Sequence, residues 1–517
     1  MANTQLFQSL KGKFLPQANA INAAGAAAYA TSPRHQLAQY AATGCLNATF
    51  YASAEAQLET VLVLCEDIDP HFIAQTAVYC RERGYMKDMP ALLTAILATK
   101  ETPALSRTFK RVINNGKMLR NVVQILRSGA VGRKSLGSRP KKLVQAWLNN
   151  ASEKELLSAA VGNAPSLADV VKMVHPKPAD AWREAFFAWL IGKAYDAAAL
   201  PPLVKAFEAY KADRSQPLPD VPFQMLTALE LTNVAWAQIA RRAGWQMLRM
   251  NLNTFARHGV YALPDMTALI ANKLRDAEAI AKARVFPYQL MAAYGAANEE
   301  VPVGIIEALQ DAMEIALNNV PEIAGKVVVC PDVSGSMQSP ATGYRGTATS
   351  AIRCIDVAAL VAAAMLRKNP GTVVLPFEVD VVSCKLNPRD SVMSNASKLA
   401  AIRGGGTNCS APLARLNKDK TKADLVIFVS DNESWVDAAR RGATATMREW
   451  EIFKQRSPHA RLVCIDVTPY GTTQAAERAD ILNIGGFSDD VFRMIADFAA
   501  GQLSAAHWVG EIESITI

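Results

Sequence analysis

The stretch Asp332-Val333-Ser334-Gly335-Ser336-Met337 comes one residue after the apolar run Val327–Cys330. An Asp followed two and four residues later by a hydroxyl side chain places three hard oxygen ligands on one loop, which is the chemistry that Mg²⁺ and Mn²⁺ require. Asp, Ser and Gly are also the usual residues of tight turns, so this motif taken alone is equally compatible with an ordinary turn.

Two further loops of the same third of the chain carry oxygen ligands. One is Gly404-Gly405-Gly406-Thr407-Asn408, and the other is Ser430-Asp431-Asn432-Glu433, which follows the run Leu425–Val429, typical of a buried parallel strand. In an open parallel sheet the ligand site lies beyond the carboxyl ends of the strands, so loops that are distant in sequence converge there. The sequence therefore predicts a divalent metal site, for Mg²⁺ or alternatively Mn²⁺, formed by Asp332, Ser334, Ser336, Thr407 and Asp431.

Short β-branched runs alternate with helical patterns from about residue 321 onward, which is typical of a doubly wound α/β domain. The candidate strands are Val327–Cys330, Thr372–Phe377, Leu425–Val429 and Leu462–Val467. The candidate helices are Ala351–Arg367, Ser410–Leu416, Ala445–Lys454 and Asp489–Ala500.

Residues from about 35 to 320 are predicted to be helical almost throughout, with Pro, Gly and Asn marking the breaks. Helical spacing of apolar residues is clearest in Ala91–Thr99, Leu143–Leu148, Ala181–Ala194, Leu203–Tyr210, Val234–Leu252 and Ile305–Leu317. No fixed-period repeat is evident, and a solenoid of divergent helical pairs is a plausible architecture. We therefore expect two domains, residues 1–322 and 323–517.

Composition excludes several classes of protein. The longest wholly apolar run, Val357–Leu366, is too short to span a bilayer, and Met1–Phe14 has no apolar signal region. The eight cysteines form no C-x-x-C pair and the six histidines no H-x-x-x-H pair, which argues against a disulfide framework, a zinc site and a zinc hydrolase. We expect a soluble cytoplasmic protein without a membrane partner.

The net charge of +8 is concentrated in one region of the chain. Residues 102–152 contain no Asp or Glu, and their eleven cations are Arg107, Lys110, Arg111, Lys117, Arg120, Arg127, Arg133, Lys134, Arg139, Lys141 and Lys142. Such a stretch indicates a polyanion as partner, although a solvated helix face is the alternative. Its few aromatic residues favour contacts to phosphates over base stacking.

The segment Gly132–Lys142 is the strongest candidate for a phosphate contact. We expect a loop that enters a helix over Lys141–Leu148, so that backbone N–H groups at the helix N-terminus join the basic side chains. The side chains expected to bind RNA here are Arg133, Lys134, Arg139, Lys141 and Lys142.

His175 is a second candidate for an RNA contact. It closes a helix that Ser166 caps and Pro176 must end, and Lys172 lies one turn earlier on the same face. A histidine at a helix C-terminus is also an ordinary structural cap, so both interpretations of His175 remain open.

All five predicted metal-site positions resemble the metal-ion-dependent adhesion site of von Willebrand factor A domains. The resemblance implies that Ser334, Ser336 and Thr407 coordinate the ion directly or through water. Asp332 and Asp431 would supply negative charge around these ligands. One coordination position would stay open for an acidic group on a partner.

Several segments of the helical part resemble the TROVE module of the Ro autoantigen family. They are Gly132-Arg133-Lys134-Ser135-Leu136-Gly137 with Pro140-Lys141-Lys142 and Trp147, residues 166–178, Gly244-Trp245-Gln246-Met247-Leu248-Arg249-Met250-Asn251-Leu252, and Arg284-Val285-Phe286-Pro287-Tyr288-Gln289-Leu290. The resemblance implies a monomeric ring of HEAT-like helical pairs joined to a von Willebrand A domain. It also implies binding of a Y-like small noncoding RNA and of single-stranded 3′ ends of misfolded or unprocessed RNA. Such a protein would work together with an exoribonuclease in RNA quality control.

We predict an RNA-binding scaffold without intrinsic enzymatic activity. Asp431 and Glu433 have no nucleophile with a matched base beside them, and His459 and Cys464 are too isolated to form a dyad. The alternatives are a Mg²⁺-dependent adaptor that docks a chaperone or ATPase, and a metal-dependent phosphodiesterase that uses the same five-residue site.

Overall fold

The computed structural model describes residues 15–44, 46, 48–100, 102–283, 285, 287–341, 352–436, 442–503 and 506–517. Contacts between residues divide the chain into two compact units. The first consists of Met1–Leu64, Val285–Gly295 and Gln310–Ser514, and the second of Cys65–Arg284, Ala296–Leu309 and Ile515–Ile517. The N-terminal segment thus groups with the C-terminal part of the chain, and the domain division at residues 322 and 323 stays a prediction.

All strands of the described residues lie in the first unit. They are β1 (Ala20–Ile21), β2 (Ala27–Ala30), β3 (Val327–Pro331), β4 (Val373–Val374), β5 (Leu425–Ser430), β6 (Arg461–Asp466), β7 (Thr472–Thr473) and β8 (Ile481–Gly485). A five-stranded parallel sheet has the order β4-β3-β5-β6-β8, and a small antiparallel sheet has the order β1-β2-β7. The N-terminal hairpin therefore pairs with a short strand near the C-terminal end of the same unit.

Helices make up most of the rest of the described chain. Up to residue 296 they are α1 (Pro33–Thr43), α2 (Ala54–Asp67), α3 (Pro70–Glu82), α4 (Asp88–Leu97), α5 (Ala104–Val112), α6 (Gly116–Ser128), α7 (Ser138–Asn150), α8 (Glu153–Ala160), α9 (Leu167–Val174), α10 (Ala181–Leu190), α11 (Pro202–Ala212), α12 (Phe223–Leu226), α13 (Asn233–Arg242), α14 (Trp245–Met250), α15 (Leu252–Arg257), α16 (Met266–Arg275), α17 (Ala277–Ala283) and α18 (Pro287–Ala296). From residue 303 they are α19 (Val303–Ala316), α20 (Cys354–Lys368), α21 (Val392–Ala400), α22 (Ala411–Lys418), α23 (Ala445–Arg456), α24 (Asp489–Ala499) and α25 (His507–Glu513). Short 3₁₀ turns cover Ala197–Ala199, Val260–Ala262, Leu317–Asn319 and Gly335–Gln338.

The parallel sheet is apolar on both faces because helices cover it. Every residue of β3 and β5 is buried, as expected for parallel strands between two helical layers. Val328, Val426 and Leu462 lie in one core cluster with Trp450 of α23, while α20 packs against β3. Burial of this kind contributes roughly 1.5–3 kcal/mol for each large apolar side chain.

In the second unit successive helices pack on one another. α3 contacts α4 and α5, and α4 contacts α6. Gly116 at the start of α6 permits a close approach to α8, because a Cβ at this position would lie 2.1 Å from the Cβ of Ala159. Among the described residues, every helix is too short or too polar to cross a lipid bilayer.

The predicted fold class, mainly α plus a doubly wound α/β domain, is confirmed. The predicted strand over Thr372–Phe377 is shorter than expected, since only Val373–Val374 pair continuously and Phe377 forms a bridge to Asp332. Sequence reasoning missed β8 and α21. Ala351, the first residue of the predicted helix Ala351–Arg367, lies outside the described residues. Arg284 and Phe286 of the TROVE-like segments also lie outside them.

The prediction of one helix over Val234–Leu252 is wrong. The chain forms α13, α14 and α15 there, with breaks at Ala243–Gly244 and at Asn251. Gly244 caps the start of α14 in an extended conformation, and the flexibility of glycine makes a break at this position inexpensive.

Candidate metal site and basic surface

The predicted metal-site residues lie on loops at the carboxyl ends of two neighbouring strands, β3 and β5, and on the glycine loop before α22. Asp332 directly follows β3, and its backbone N–H donates to the carbonyl oxygen of Val429 in β5 (2.9 Å). The N–H of Val333 donates to the carbonyl oxygen of Phe377 (2.9 Å). The end of β3 is therefore held between its two neighbours in the sheet.

The Asp332 carboxylate is completely buried and hydrogen-bonded at both oxygens. Oδ1 accepts the backbone N–H of Ser334 (2.8 Å), and Oδ2 accepts the hydroxyl of Ser430 (2.6 Å). The Ser430 hydroxyl also accepts the N–H of Asn432 (2.9 Å). These bonds fix Asp332 to the loop that carries Asp431.

The hydroxyl groups lie against this pair of carboxylates. The Oγ atoms of Ser334 and Ser336 are 3.3 Å apart, and the Ser336 hydroxyl hydrogen-bonds to Asp431. Asp431 Oδ1 also accepts the backbone N–H of Glu433 (3.2 Å). The first and third predicted loops are therefore in direct contact.

Thr407 is brought to the same place by the glycine loop. The N–H of Gly335 donates to the carbonyl oxygen of Gly405 (2.8 Å), and the N–H of Trp435 donates to that of Thr407 (3.2 Å). Gly404 is required for this packing, because a Cβ there would lie 2.0 Å from the carbonyl oxygen of Val333. The three loops interlock, so the structure brings all five predicted residues close together.

The electrostatics of the site suit a divalent cation. Burial, and then the neighbouring carboxylate of Asp431, raise the pKa of Asp332 to about 7. Burial also raises the pKa of Asp431. No Lys or Arg of the described chain is among the groups that shift either pKa. A bound Mg²⁺ would supply the missing positive charge, and hydroxyl and carboxylate oxygens are the ligands it prefers.

The site has few of the charged side chains that usually bind metal ions. Within the described ranges, no group of three or more His, Cys, Asp or Glu side chains is arranged to hold a metal ion. A cation at this site therefore depends on Ser334, Ser336 and Thr407, as the sequence predicts. The ion itself remains a prediction.

Glu433 and its N-terminal partners were missed as part of the site. Burial, and then Asp431, raise the pKa of Glu433 to about 8. Its Oε2 accepts the N–H of Ala24 (3.2 Å), and Asn22 Nδ2 donates to the carbonyl oxygen of Ser434 (2.7 Å). The sequence shows Glu433 beside Asp431, but no local pattern indicates that the turn after β1 packs on this loop.

The basic loop enters its helix earlier than predicted. α7 begins at Ser138, not at Lys141, so the predicted helix start is wrong by one turn. Pro140 was interpreted as a loop residue, whereas it occupies the first turn, where proline is tolerated because its missing N–H needs no helical partner. Gly137 precedes the helix with φ 74°, and no side chain caps the N-terminus.

Two of the predicted RNA-binding arginines have structural partners. Arg133 Nη1 donates to the carbonyl oxygen of Ala98 (2.7 Å), and Arg139 Nη1 donates to that of Thr102 (2.5 Å). They anchor the loop to the connection between α4 and α5. Lys134 and Lys142 are exposed and Lys141 is half-buried, so the lysines are the better candidates for phosphate contacts.

The end of α9 packs beside α7. Ser166 and Asp169 form a capping box at the start of α9, and exposed His175 ends the helix in the left-handed conformation (φ 50°). Gln145 Nε2 of α7 donates to the carbonyl oxygens of Val174 (2.6 Å) and His175 (3.3 Å). His175 is thus the predicted helix end, and its side chain remains available beside α7.

These groups lie on one loop and two contacting helices, and we call them the basic surface. They are Lys134, Lys141, Lys142, Lys172 and His175. Lys141 and Gln145 are one helical turn apart, so Lys141 lies on the side of α7 that faces the end of α9.

Several other cations of the acid-free stretch hold the fold together. Arg120 is buried and donates to the carbonyl oxygens of Val161 (2.6 Å) and Pro165 (3.3 Å). Arg107 and Arg111 donate to backbone carbonyls of the last two residues of the chain, and Arg111 also pairs with Glu82 (2.6 Å). The count of eleven cations therefore overstates the charge available to a polyanion.

Comparisons with known proteins find similar proteins both for the A-domain part and for nearly the whole chain. Residues 326–499 match the family model described as the Ro60 vWA domain. The RNA-binding protein RO60 of Deinococcus radiodurans is 24% identical over 519 residues, covering 93% of this chain and 95% of that protein. The crystal structure of the Deinococcus radiodurans Ro (Rsr) protein superposes with a TM-score of 0.61 at 21% identity, covering 91% of this chain and 100% of that chain.

The fold and the family match define a class of protein that joins a helical part to a von Willebrand A domain. Within that class the chain is similar to Ro proteins. Its A domain matches that of Ro60, and its fold matches a bacterial Ro protein over nearly the whole length. The resemblance noted in the sequence is confirmed.

Proposed function

We propose that this chain binds structured RNA through the basic surface. The observation that carries the proposal is the set of exposed cations on the loop before α7 and at the end of α9, beside a helix N-terminus without a side-chain cap. Free N–H groups at a helix N-terminus and lysine ammonium groups both bind phosphate. The relative from Deinococcus radiodurans is named an RNA-binding protein, which supports the same interpretation.

The mode of binding follows from the side chains. Phe109 is buried in the core and Trp147 is half-buried, so the acid-free stretch offers little aromatic surface for stacking. Contacts to the RNA backbone recognise shape rather than sequence. Each phosphate that a lysine neutralises releases a counterion, so affinity falls steeply with salt.

The RNA partners proposed here come from the family resemblance. A Y-like small noncoding RNA would dock on the basic surface, and single-stranded 3′ ends of misfolded or unprocessed RNA would bind elsewhere on the helical part. The chain would present such RNAs to an exoribonuclease and carry out no catalytic step itself.

Filter binding of a structured RNA with a free 3′ tail tests the proposal. The expected result is tight binding at low salt. The logarithm of the affinity should then fall linearly with the logarithm of the salt concentration. Absence of binding, or binding that does not change with salt, would contradict it. Labelled RNA kept with the protein and Mg²⁺ should stay intact, and release of nucleotides would favour a phosphodiesterase.

We also propose that the three interlocked loops bind Mg²⁺, or alternatively Mn²⁺. The buried carboxylates of Asp332 and Asp431, with no cation among the described groups that shift their pKa values, support this proposal. The ion would be held by the hydroxyls of Ser334, Ser336 and Thr407 and would keep one position for an acidic group.

The second candidate function, docking of a protein partner such as a chaperone or ATPase, rests on this metal site. It predicts a complex that forms in the presence of Mg²⁺, dissociates when a chelator is added and survives nuclease treatment. Binding of a partner only when RNA is intact would exclude it.

A further inference from the structure

The second unit contains a cleft that neither the basic surface nor the metal site uses. It has a volume of about 580 Å³ and lies between α12, the turn that follows it, and α15. This volume is within the range of about 300–1,000 Å³ that is usual for small-ligand sites. We call it the Trp236 cleft, and the lining residues that matter most are Phe223, Trp236, Asn251, Thr254 and His258.

One part of the cleft is a stack of flat rings. The imidazole of His258 lies parallel to the buried indole of Trp236, with ring centroids 4.3 Å apart and an angle of 13° between the planes. Phe223 meets the same indole edge-on at 6.2 Å, which fixes the indole in place. Trp236 covers one face of the imidazole, and the remaining half-exposed surface of His258 lines the cleft.

His258 suits an uncharged stacking role. Burial, and then the positive charge of Arg257, lower its pKa below the usual value. A lowered pKa favours the neutral imidazole, and a neutral ring can stack on another aromatic ring without carrying a charge into the contact.

Polar groups stand beside the ring stack. Asn251 directly precedes α15, Thr254 lies within it and His258 directly follows it, and all three line the cleft. Asn251 Nδ2 donates to the carbonyl oxygen of Met247 (2.8 Å), which holds the amide so that its oxygen can accept from a ligand.

The cleft also carries charged groups suited to a nucleotide. Arg257 is exposed, and within the described residues its guanidinium makes no hydrogen bond or ion pair. Guanidinium binds phosphate through paired N–H groups. Glu230 also lines the cleft, and a carboxylate there accepts hydrogen bonds from the exocyclic amine of a base.

We propose that the Trp236 cleft binds one nucleotide of single-stranded RNA, with the base stacked on His258 and the phosphate on Arg257. This inference rests on the proposed RNA-binding function and adds a site that reads the base face, which the lysine-rich basic surface does not offer. A stacked base contributes affinity with little sequence preference.

The test compares two probes of equal charge on the full chain. One is a short fluorescent oligoadenylate, whose exocyclic amines can donate a hydrogen bond to Glu230. The other is a ribose-phosphate chain of the same length without bases. We expect tighter anisotropy binding of the oligoadenylate, weakened roughly fivefold or more in His258→Ala and largely kept in His258→Phe. Equal binding of the two probes by the wild-type chain would overturn the proposal.

Arg257→Gln tests the cleft without touching the packed ring stack. It should weaken oligoadenylate binding, while Arg241→Gln, which removes an exposed charge of α13 outside the cleft, should not. Equal effects of the two substitutions would count against the cleft. A structured RNA measured in parallel separates the two proposals: if it binds while the oligoadenylate shows no preference, only the cleft fails, and if no RNA binds, the proposed function fails as well.

Discussion

At the scale of single residues, Asp332 is the central residue of the proposed metal site. It is buried, is bonded to Ser334 and Ser430, and lies near the Asp431 carboxylate with no cation of the described chain shifting its pKa. A buried pair of carboxylates costs stability when both are ionised, and a divalent cation removes that cost.

Substitution of Asp332 by Asn should remove the response to Mg²⁺. The pKa of Asp332 is about 7 in the folded chain and near 4 when unfolded, so the folded state binds more protons between these values. Without metal, stability therefore falls as pH rises through this window, by up to a few kcal/mol at about 1.4 kcal/mol per pKa unit. Asp332→Asn should reduce this pH dependence, while Glu433, whose pKa is raised to about 8, keeps its own contribution.

Thermal melting at pH 6 and pH 8, with Mg²⁺ or with a chelator, measures both effects. Mg²⁺ should raise the melting temperature of the wild-type chain most at pH 8, and the exposed control Glu322→Gln should behave as wild type. An Asp332→Asn chain that is still stabilised by Mg²⁺ would show that the ion binds elsewhere.

Some residues of the candidate site could be predicted from the sequence, and others could not. Ser334, Thr407 and Asp431 were predictable because each lies just beyond an apolar run or in a glycine loop. Ser430 and Glu433 gained their roles only in three dimensions, through Asp332 and the N-terminal turn. A pattern of neighbouring residues carries no signal for a partner about four hundred positions away.

At the scale of elements, the metal site depends on loops that approach one another closely. Gly404 is the tightest point, where a Cβ would overlap the carbonyl oxygen of Val333 at 2.0 Å. The loops after β3 and before α22 can interlock only if this position lacks a side chain.

Gly404→Ala should therefore destabilise the A domain and weaken Mg²⁺ binding together. Forcing a methyl group into a packed site costs typically about 1–3 kcal/mol. Urea unfolding measures the destabilisation, and Gly371→Ala is the matched control because a Cβ there meets no atom within 4 Å. Equal stability of the two variants would contradict the close approach of the loops.

The prediction of elements succeeded or failed for identifiable reasons. β3 and β5 were predicted because a buried parallel strand is a continuous β-branched run, whereas β8 (Ile481–Gly485) contains Asn483 and Gly485 and lacks that pattern. Val234–Leu252 has helical spacing throughout, but spacing alone does not reveal where Gly244 and Asn251 interrupt it. The start of α7 was misplaced because Pro140 was interpreted as a break.

At the scale of the whole molecule, the two proposed sites lie in different parts of the chain. The proposed metal site lies in the first compact unit, and the basic surface and the Trp236 cleft lie in the second. No residue is shared between them, so RNA binding should not require the metal.

Asp332→Asn and chelation of divalent ions should accordingly leave most of the RNA affinity intact, provided that the RNA itself keeps its fold. Filter binding with an RNA whose structure does not depend on Mg²⁺ checks this expectation. Loss of RNA binding in Asp332→Asn would mean that the ion takes part in RNA recognition.

The most direct test of the account is RNA affinity after charge reversal on the basic surface. Lys134→Glu combined with Lys142→Glu should weaken binding of the structured RNA roughly tenfold or more and reduce the salt slope by about 1 for each phosphate that is no longer neutralised. The control, Lys418→Glu with Lys422→Glu, makes the same change of charge at exposed positions of the other unit and should bind as wild type. Equal affinity and equal salt slopes for the two variants would contradict the account.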